Sequence, residues 1–317
     1  MAIRHAIANW IDTAGPSLRA RSIIKSAAFK SREGIGYCQF PETLVRYRVV
    51  GNGPQTLVLA VDAPVVIEQY DKLIEFLRND FRIVVFETPG SGFSLPGTRY
   101  RFDFLAANDL VARFLQQLDF GPYILAFPCV SAYGAIDIAN RFPALVAGVV
   151  VMQAPSWSEA VKWKHGRDRT GVLGRPIIGQ LLLQFLKRKR APQWFDAAVG
   201  KRDMLPEFVK TTDHAFAHGA CFCLASAFQH YLTDATQALA VVKQPALIIW
   251  GEADASHRHT DKASTKHYFP DARDLRFPDA GHFPELEEPE MFSREVKQWA
   301  RTILTLPNET MRKVDSI

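Results

Sequence analysis

The segment Tyr123-Ile124-Leu125-Ala126-Phe127-Pro128-Cys129-Val130-Ser131-Ala132-Tyr133-Gly134-Ala135-Ile136 decides the fold. Its apolar run over 123–127 reads as a short buried strand that breaks sharply and enters a helix with small residues in its first turn. Such a turn holds one side chain at its tip, the arrangement called a nucleophile elbow, usually spelled Gly-x-Ser-x-Gly. Here Phe127 takes the first glycine position, Cys129 the nucleophile position and Ser131 the second glycine position.

On both sides of this segment, strands and helices alternate. Strands are expected at 44–50, 56–61, 81–87, 146–152, 246–250 and 274–277, with helices at 67–77, 106–118 and 290–304. Apolar strands separated by helices of this length give an α/β fold with a mainly parallel sheet covered on both faces. The stretch 156–244 breaks the pattern, having helical runs at 177–186 and 216–231 and no convincing strand. A helical insertion of this kind reads as a cap over the strand ends, where open α/β sheets bind ligands. The expected organisation is an N-terminal helical arm over 1–40, a core over 41–155 and 245–307, a cap over 156–244 and a tail over 308–317. In the arm, a helix over 2–12 ends at Gly15-Pro16, and an acid-free basic stretch follows over 17–30.

The 317 residues suit one large domain with an insertion, and 48% hydrophobic with 22% charged residues is ordinary for a globular protein. No apolar run approaches the ~18 residues of a spanning helix. Four scattered cysteines and no signal-peptide pattern point to free thiols in a reducing, cytoplasmic setting. Asn308-Glu309-Thr310 is a chance glycosylation match on that reading. The net charge of +5 is concentrated in the cap, which holds 13 Lys/Arg against 7 Asp/Glu, including Lys187-Arg188-Lys189-Arg190. This is either a solvated helix face or a dock for an anionic partner: an acyl or peptidyl carrier protein, coenzyme A or a membrane surface. No nucleic-acid-binding motif is present.

Two further pieces follow the elbow. Asp254 lies just past the strand 246–250, and His282 sits in a turn before the final helix, in Asp279-Ala280-Gly281-His282-Phe283-Pro284. Nucleophile, acid and histidine, in that order, form one of the chain orders of a catalytic triad. With these pieces the sequence resembles the α/β-hydrolase superfamily over roughly 40–305. Glu87-Thr88-Pro89-Gly90-Ser91-Gly92-Phe93-Ser94 is similar to that family's Asp-x-Pro-Gly-x-Gly-x-Ser loop. Trp250-Gly251-Glu252-Ala253-Asp254 resembles its acid-bearing strand end, and Arg141-Phe142-Pro143 closes the helix after the elbow as Arg-x-Pro does there. Counting back from Arg141 places Cys129, not Ser131, in the nucleophile slot.

The resemblance implies that His282 takes the Cys129 proton or stabilises its thiolate while Asp254 orients the imidazole. Backbone N–H groups of Val130 and Ala63 would form the oxyanion hole. Val61-Asp62 stands where the family carries His-Gly, so an inward Asp62 would oppose an oxyanion or serve as an acid/base itself. Phe127, Pro128, Ser131, Trp157 and Trp163 are candidate substrate contacts, although the cap aromatics Trp157, Trp163, Phe185, Trp194, Phe195, Phe216 and Phe222 also suit the cap's own core. His257 and His259 read as surface-loop residues, and His214 with His218 as cap packing or solvated side chains. No metal or cofactor is called for.

The leading functional reading is acyl transfer through an acyl-cysteine formed from a thioester or activated ester. Release would be to an acceptor (acyltransferase or cyclase) or to water (thioesterase). The alternatives are a cofactor-free lyase or isomerase using Asp62 and His282, and a non-catalytic ligand-binding or scaffold protein.

Overall fold

The computed structural model of the chain describes residues 2–25, 32–235, 237 and 239–304. Residues 26–30 of the basic stretch, Asn308 and the tail lie outside the described residues.

Chain order is helix α1 (Ala2–Lys25), strands β1 (Ile35–Gln39), β2 (Thr43–Val50) and β3 (Gln55–Val61), then α2 (Asp71–Leu77) and β4 (Phe81–Glu87). Next come α3 (Phe104–Leu118), β5 (Tyr123–Pro128), α4 (Ala132–Arg141) and β6 (Val146–Met152). The cap helices α5 (Trp157–Arg167), α6 (Ile178–Ala198) and α7 (Leu205–Ala217) precede β7 (Ala246–Gly251), β8 (Arg273–Phe277) and α8 (Pro289–Leu304).

These strands form one sheet in the order β1-β2-β4-β3-β5-β6-β7-β8. The β1–β2 and β2–β4 pairs are antiparallel, and from β4 to β8 the pairing is parallel. Register carries Val58 onto Leu125, Leu125 onto Val149 and Val151 onto Ile248, all of them buried. Near-continuous apolar strands are what a sheet covered twice requires. The parallel register brings the C-terminal ends of β3, β5, β6 and β7 to one edge, beneath the cap.

The expected strand and helix positions hold to within a few residues, and the arm and cap differ from expectation. Strand β1 lies inside the arm. Helix α1 does not stop at Gly15-Pro16. Pro16 has no N–H to give the Asp12 carbonyl, and that carbonyl instead meets the Cys223 thiol at 3.9 Å. Residues 216–231 are not one helix: α7 ends at Ala217 and Gly219 follows at φ +96°. Cys221–Phe222 is a two-residue strand paired with Ser91–Gly92 of the core, so neither Cys221 nor Cys223 sits on the expected helix faces. All four cysteines are free and buried.

Candidate active site

Each candidate side chain stands at the end of a strand. Cys129 follows β5 directly and adopts φ +48°, a left-handed conformation that a non-glycine residue tolerates only where its surroundings impose it. This is the strained turn the sequence implied. Ser131, the runner-up nucleophile, turns back and donates to the Pro128 carbonyl at 2.5 Å. Tyr133 is buried beneath the cap junction, donating to the Pro155 carbonyl at 2.8 Å.

His282 is held from three sides. Its backbone N–H donates to the Ala198 carbonyl at the end of α6, at 2.7 Å. The preceding Gly281 packs so tightly there that a Cβ would lie 2.0 Å from the Ala198 oxygen. The Glu287 carboxylate accepts backbone N–H groups from Gly281 (3.0 Å), Phe283 (3.2 Å), Gly200 (2.7 Å) and Lys201 (2.9 Å), knotting the histidine turn to the cap. The imidazole Nδ1 donates to Asp254 Oδ2 at 2.6 Å. That carboxylate also accepts Gln153 Nε2 at 2.7 Å, and its Oδ1 accepts the Ser256 N–H at 2.8 Å. The other end of the Gln153 amide accepts the Gly251 N–H at 2.7 Å.

On the opposite edge of the ring, Asp62 Oδ2 lies 3.0 Å from Nε2. Neither atom has an aligned hydrogen-bond partner, so the approach is a charge contact and not a formed bond. Asp62 thus faces inward, and His282 sits between two carboxylates. Burial alone would push the imidazole down, but the Asp254 charge, Cys129 and both carboxylate contacts outweigh it and raise it well above its ordinary value. Burial likewise works to raise Asp254, and the His282 charge and hydrogen bond overcome it and hold the carboxyl low. Cys129 is pushed up by burial and then by Asp62, against a downward pull from His282 and the Val130 N–H. His282 is thus the group here best placed to take up a proton, and Asp62 is the charge that works against the thiolate.

His257 departs from its expected place in a surface loop. It is buried, with its ring stacked on Trp163 (5.2 Å between centroids, 4° between planes) and on His282 (5.3 Å, 13°). Its Nδ1 pairs with Thr260 Oγ1 at 3.0 Å, while Nε2 is buried without a partner. Burial and then the His282 charge push it down to about 3, so it stays neutral beside the charged triad. Cys129 Sγ and one ring nitrogen each of His257 and His282 lie within 4.8 Å of one another. His214 and His218 are exposed on α7, as expected.

Above the triad lies a cavity of about 670 Å³ whose wall is predominantly apolar. Asp62, Ala63, Cys129, Val130 and His282 line it together, so both residues expected to supply oxyanion donors border it. Phe127, Ser131 and Trp163 line it too, together with Trp194 and Phe222, but Pro128 and Trp157 do not. Trp157 instead packs edge-on to Phe104 and Tyr133 in the core, and Phe185 points outward, 80% exposed. Arg167, Arg169 and Arg190 also line the cavity, and none has an ion-pair partner among the described residues. The Arg167 guanidinium lies 4.7 Å over the Trp194 ring, which in turn meets His282 edge-on at 5.1 Å.

The strand order agrees with the comparisons to known proteins. The profile of the Alpha/beta hydrolase family matches residues 63–295. The chain belongs to that family. It is also 24% identical over 226 residues to the dihydrolipoyllysine-residue acetyltransferase component of the acetoin cleaving system of Pseudomonas putida. That match covers 71% of this chain and 58% of the relative, so the chain spans little more than half the relative's length. Among solved structures, a thermophilic esterase from Thermogutta terrifontis superposes with a TM-score of 0.63 at 21% identity, covering 85% of this chain and 97% of the esterase. Epoxide hydrolase A from Mycobacterium thermoresistibile does so with a TM-score of 0.68 at 14% identity, covering 84% and 98%. At these identities the likeness is one of fold.

Gln153, His257, Glu287, Arg167 and Arg169 were not singled out from the sequence as site residues, whereas Arg190 belongs to the basic run read there as a possible dock. Gln153 carries one signal: a polar residue directly after the apolar strand β6, at φ +50°.

Proposed function

We propose that this α/β-hydrolase-family enzyme transfers acyl groups through an acyl-cysteine at Cys129. The observation that carries the reading is the thiol on a strained turn, beside an imidazole clamped by a buried carboxylate, at the closed end of an apolar cavity. Sγ loses its proton to the His282–Asp62 pair and attacks the thioester carbonyl. The donor C–S bond breaks, its thiolate takes a proton from His282, and the acyl group remains on Cys129 as a new thioester. An amine, alcohol or water then gives its proton to His282, attacks the carbonyl and releases Cys129. The Val130 and Ala63 N–H groups support the oxyanion in both halves. The unpaired arginines at the cavity wall suit an anionic carrier or coenzyme A.

The test is intact mass after incubation with acyl thioesters, with Cys129→Ala alongside. One added acyl group in the wild type alone supports the reading, and an adduct persisting in Cys129→Ala overturns it.

A second reading rests on the Asp62–His282 contact. Two carboxylates flanking one imidazole also suit proton transfer within a bound substrate, a cofactor-free lyase or isomerase reaction with Cys129 as a wall of the pocket. Turnover that survives Cys129→Ala and disappears in Asp62→Asn would select it.

A further inference from the structure

Helix α1 is built the wrong way round for a helix that packs only on its own protein. Its inner face is small or polar: Ala8, Asp12 and Thr13 are buried, and Asp12 accepts the Ser226 hydroxyl at 2.7 Å. Its large apolar residues recur at helical spacing on the outside, with Ile3 76%, Trp10 63% and Leu18 84% exposed and Ile7 between them. The neighbouring α6 repeats the pattern. Leu181 and Phe185, one turn apart, point outward, and Gln184 beside them donates to the Ile11 carbonyl of α1 at 2.8 Å. Most of the large apolar side chains exposed among the described residues therefore fall on two adjoining helices. Scattered exposed apolar residues need no explanation, but a contiguous set does.

The charge around this face identifies what it meets. Helix α1 exposes Arg4 beside Ile3 and Ile7, and the one acid in its sequence, Asp12, is turned inward. Helix α6 continues from Phe185 into Lys187-Arg188-Lys189-Arg190, of which Lys189 and Arg190 are exposed. Apolar residues flanked by cations on a helix too polar to cross a bilayer have the composition of an interfacial helix. Indeed, no helix among the described residues is long and apolar enough to span a membrane. The α6 residues Leu182, Leu183 and Arg190 also line the catalytic cavity. The helix that carries the outer apolar face is therefore also a wall of the acyl site.

We propose that the outer face of α1 and α6 docks on an anionic lipid bilayer, setting the cavity wall against the source of an apolar substrate. This inference is independent of whether Cys129 becomes acylated.

The test is flotation of the full chain with phosphatidylcholine vesicles, with and without phosphatidylglycerol. The wild type floats with the anionic vesicles and is released by salt. Trp10→Glu and Phe185→Glu each weaken partitioning about tenfold or more. Leu105→Glu, a change at an exposed residue of α3 and not of α1 or α6, floats like the wild type. Tryptophan emission gives a second readout that needs no introduced charge: anionic vesicles shift it to the blue in the wild type, and the shift shrinks in Trp10→Phe. Failure of the wild type to float with either vesicle overturns the proposal, as does equal loss in Leu105→Glu. A dimer that Phe185→Glu dissociates, with no vesicle binding, assigns the face to a second copy of the chain and overturns it too.

Discussion

Asp62 Oδ2 stands 3.0 Å from His282 Nε2, the nitrogen that must also serve Cys129. The carboxylate raises the thiol directly, second only to burial, and helps raise the imidazole as well. Asp62→Asn removes both influences, and because the direct repulsion weighs more on Cys129 than the pull of His282, the thiol ionises at lower pH. Alkylation by iodoacetamide followed against pH should show its midpoint move down by about one unit, the scale of one nearby charge. A midpoint that stays put or rises contradicts this.

Gln153 is a positioning residue that acts through Asp254. Gln153→Leu deletes a donor to the carboxylate and leaves the Gly251 N–H without its acceptor. Acylation of Cys129 should slow about 10–100-fold, the scale of lost outer-shell support in comparable sites. The unpaired N–H should cost about 1–3 kcal/mol of stability. Gln153→Glu tests whether orientation or charge matters, since it can still accept from Gly251 but adds a carboxylate beside Asp254.

Glu285 is buried beside the site and accepts the Tyr70 hydroxyl at 3.2 Å. Burial lifts it to about 8, with Asp62 pushing the same way. Below 4.5 it is neutral in folded and unfolded chains alike; between 4.5 and about 8 the unfolded chain gives up the proton while the folded one keeps it. Its contribution therefore lowers stability as pH rises through that window. Glu285→Gln should match the wild type in acid and exceed it above pH 8, by several kcal/mol at most. Paired melting curves across the window check the sign, and an offset that does not change with pH would contradict it.

Ile138 is fully buried on α4 and reaches the cavity wall. Ile138→Trp should fill part of the 670 Å³ and shift acceptance towards shorter acyl chains. The adduct masses formed from a chain-length series of thioesters measure this directly.

The fold was legible because its strands are buried on both sides. Runs such as Leu57–Val61 and Val149–Met152 leave no solvent-facing position to disguise them, and the order of Cys129, Asp254 and His282 does not depend on any distance. The arm was misjudged because Gly15-Pro16 carries the local signature of a helix end, and the cost of the missing N–H was offset by a contact 211 positions away, at Cys223. Gln153 and His257 escaped for a related reason. A lone glutamine after a strand and a histidine beside Arg258 and His259 look like loop residues. Their burial comes from partners supplied by other parts of the fold: Asp254 lies 101 positions from Gln153, and Trp163 closes over His257 from the cap. Asp62 was visible as a departure from pattern, but its direction was a property of the folded turn.

The knot at Glu287 bears on how this protein can be taken apart and rebuilt. Four backbone N–H groups, two from the cap loop after α6 and two from the histidine turn, converge on one carboxylate, and the Ala198 carbonyl holds the His282 N–H. Trimming the insertion to obtain a smaller protein would unmoor the His282 imidazole along with the cap. For chimaeras, the natural exchange unit is discontinuous: residues 156–244 travel with 279–288, and a graft that separates them leaves His282 without its anchors.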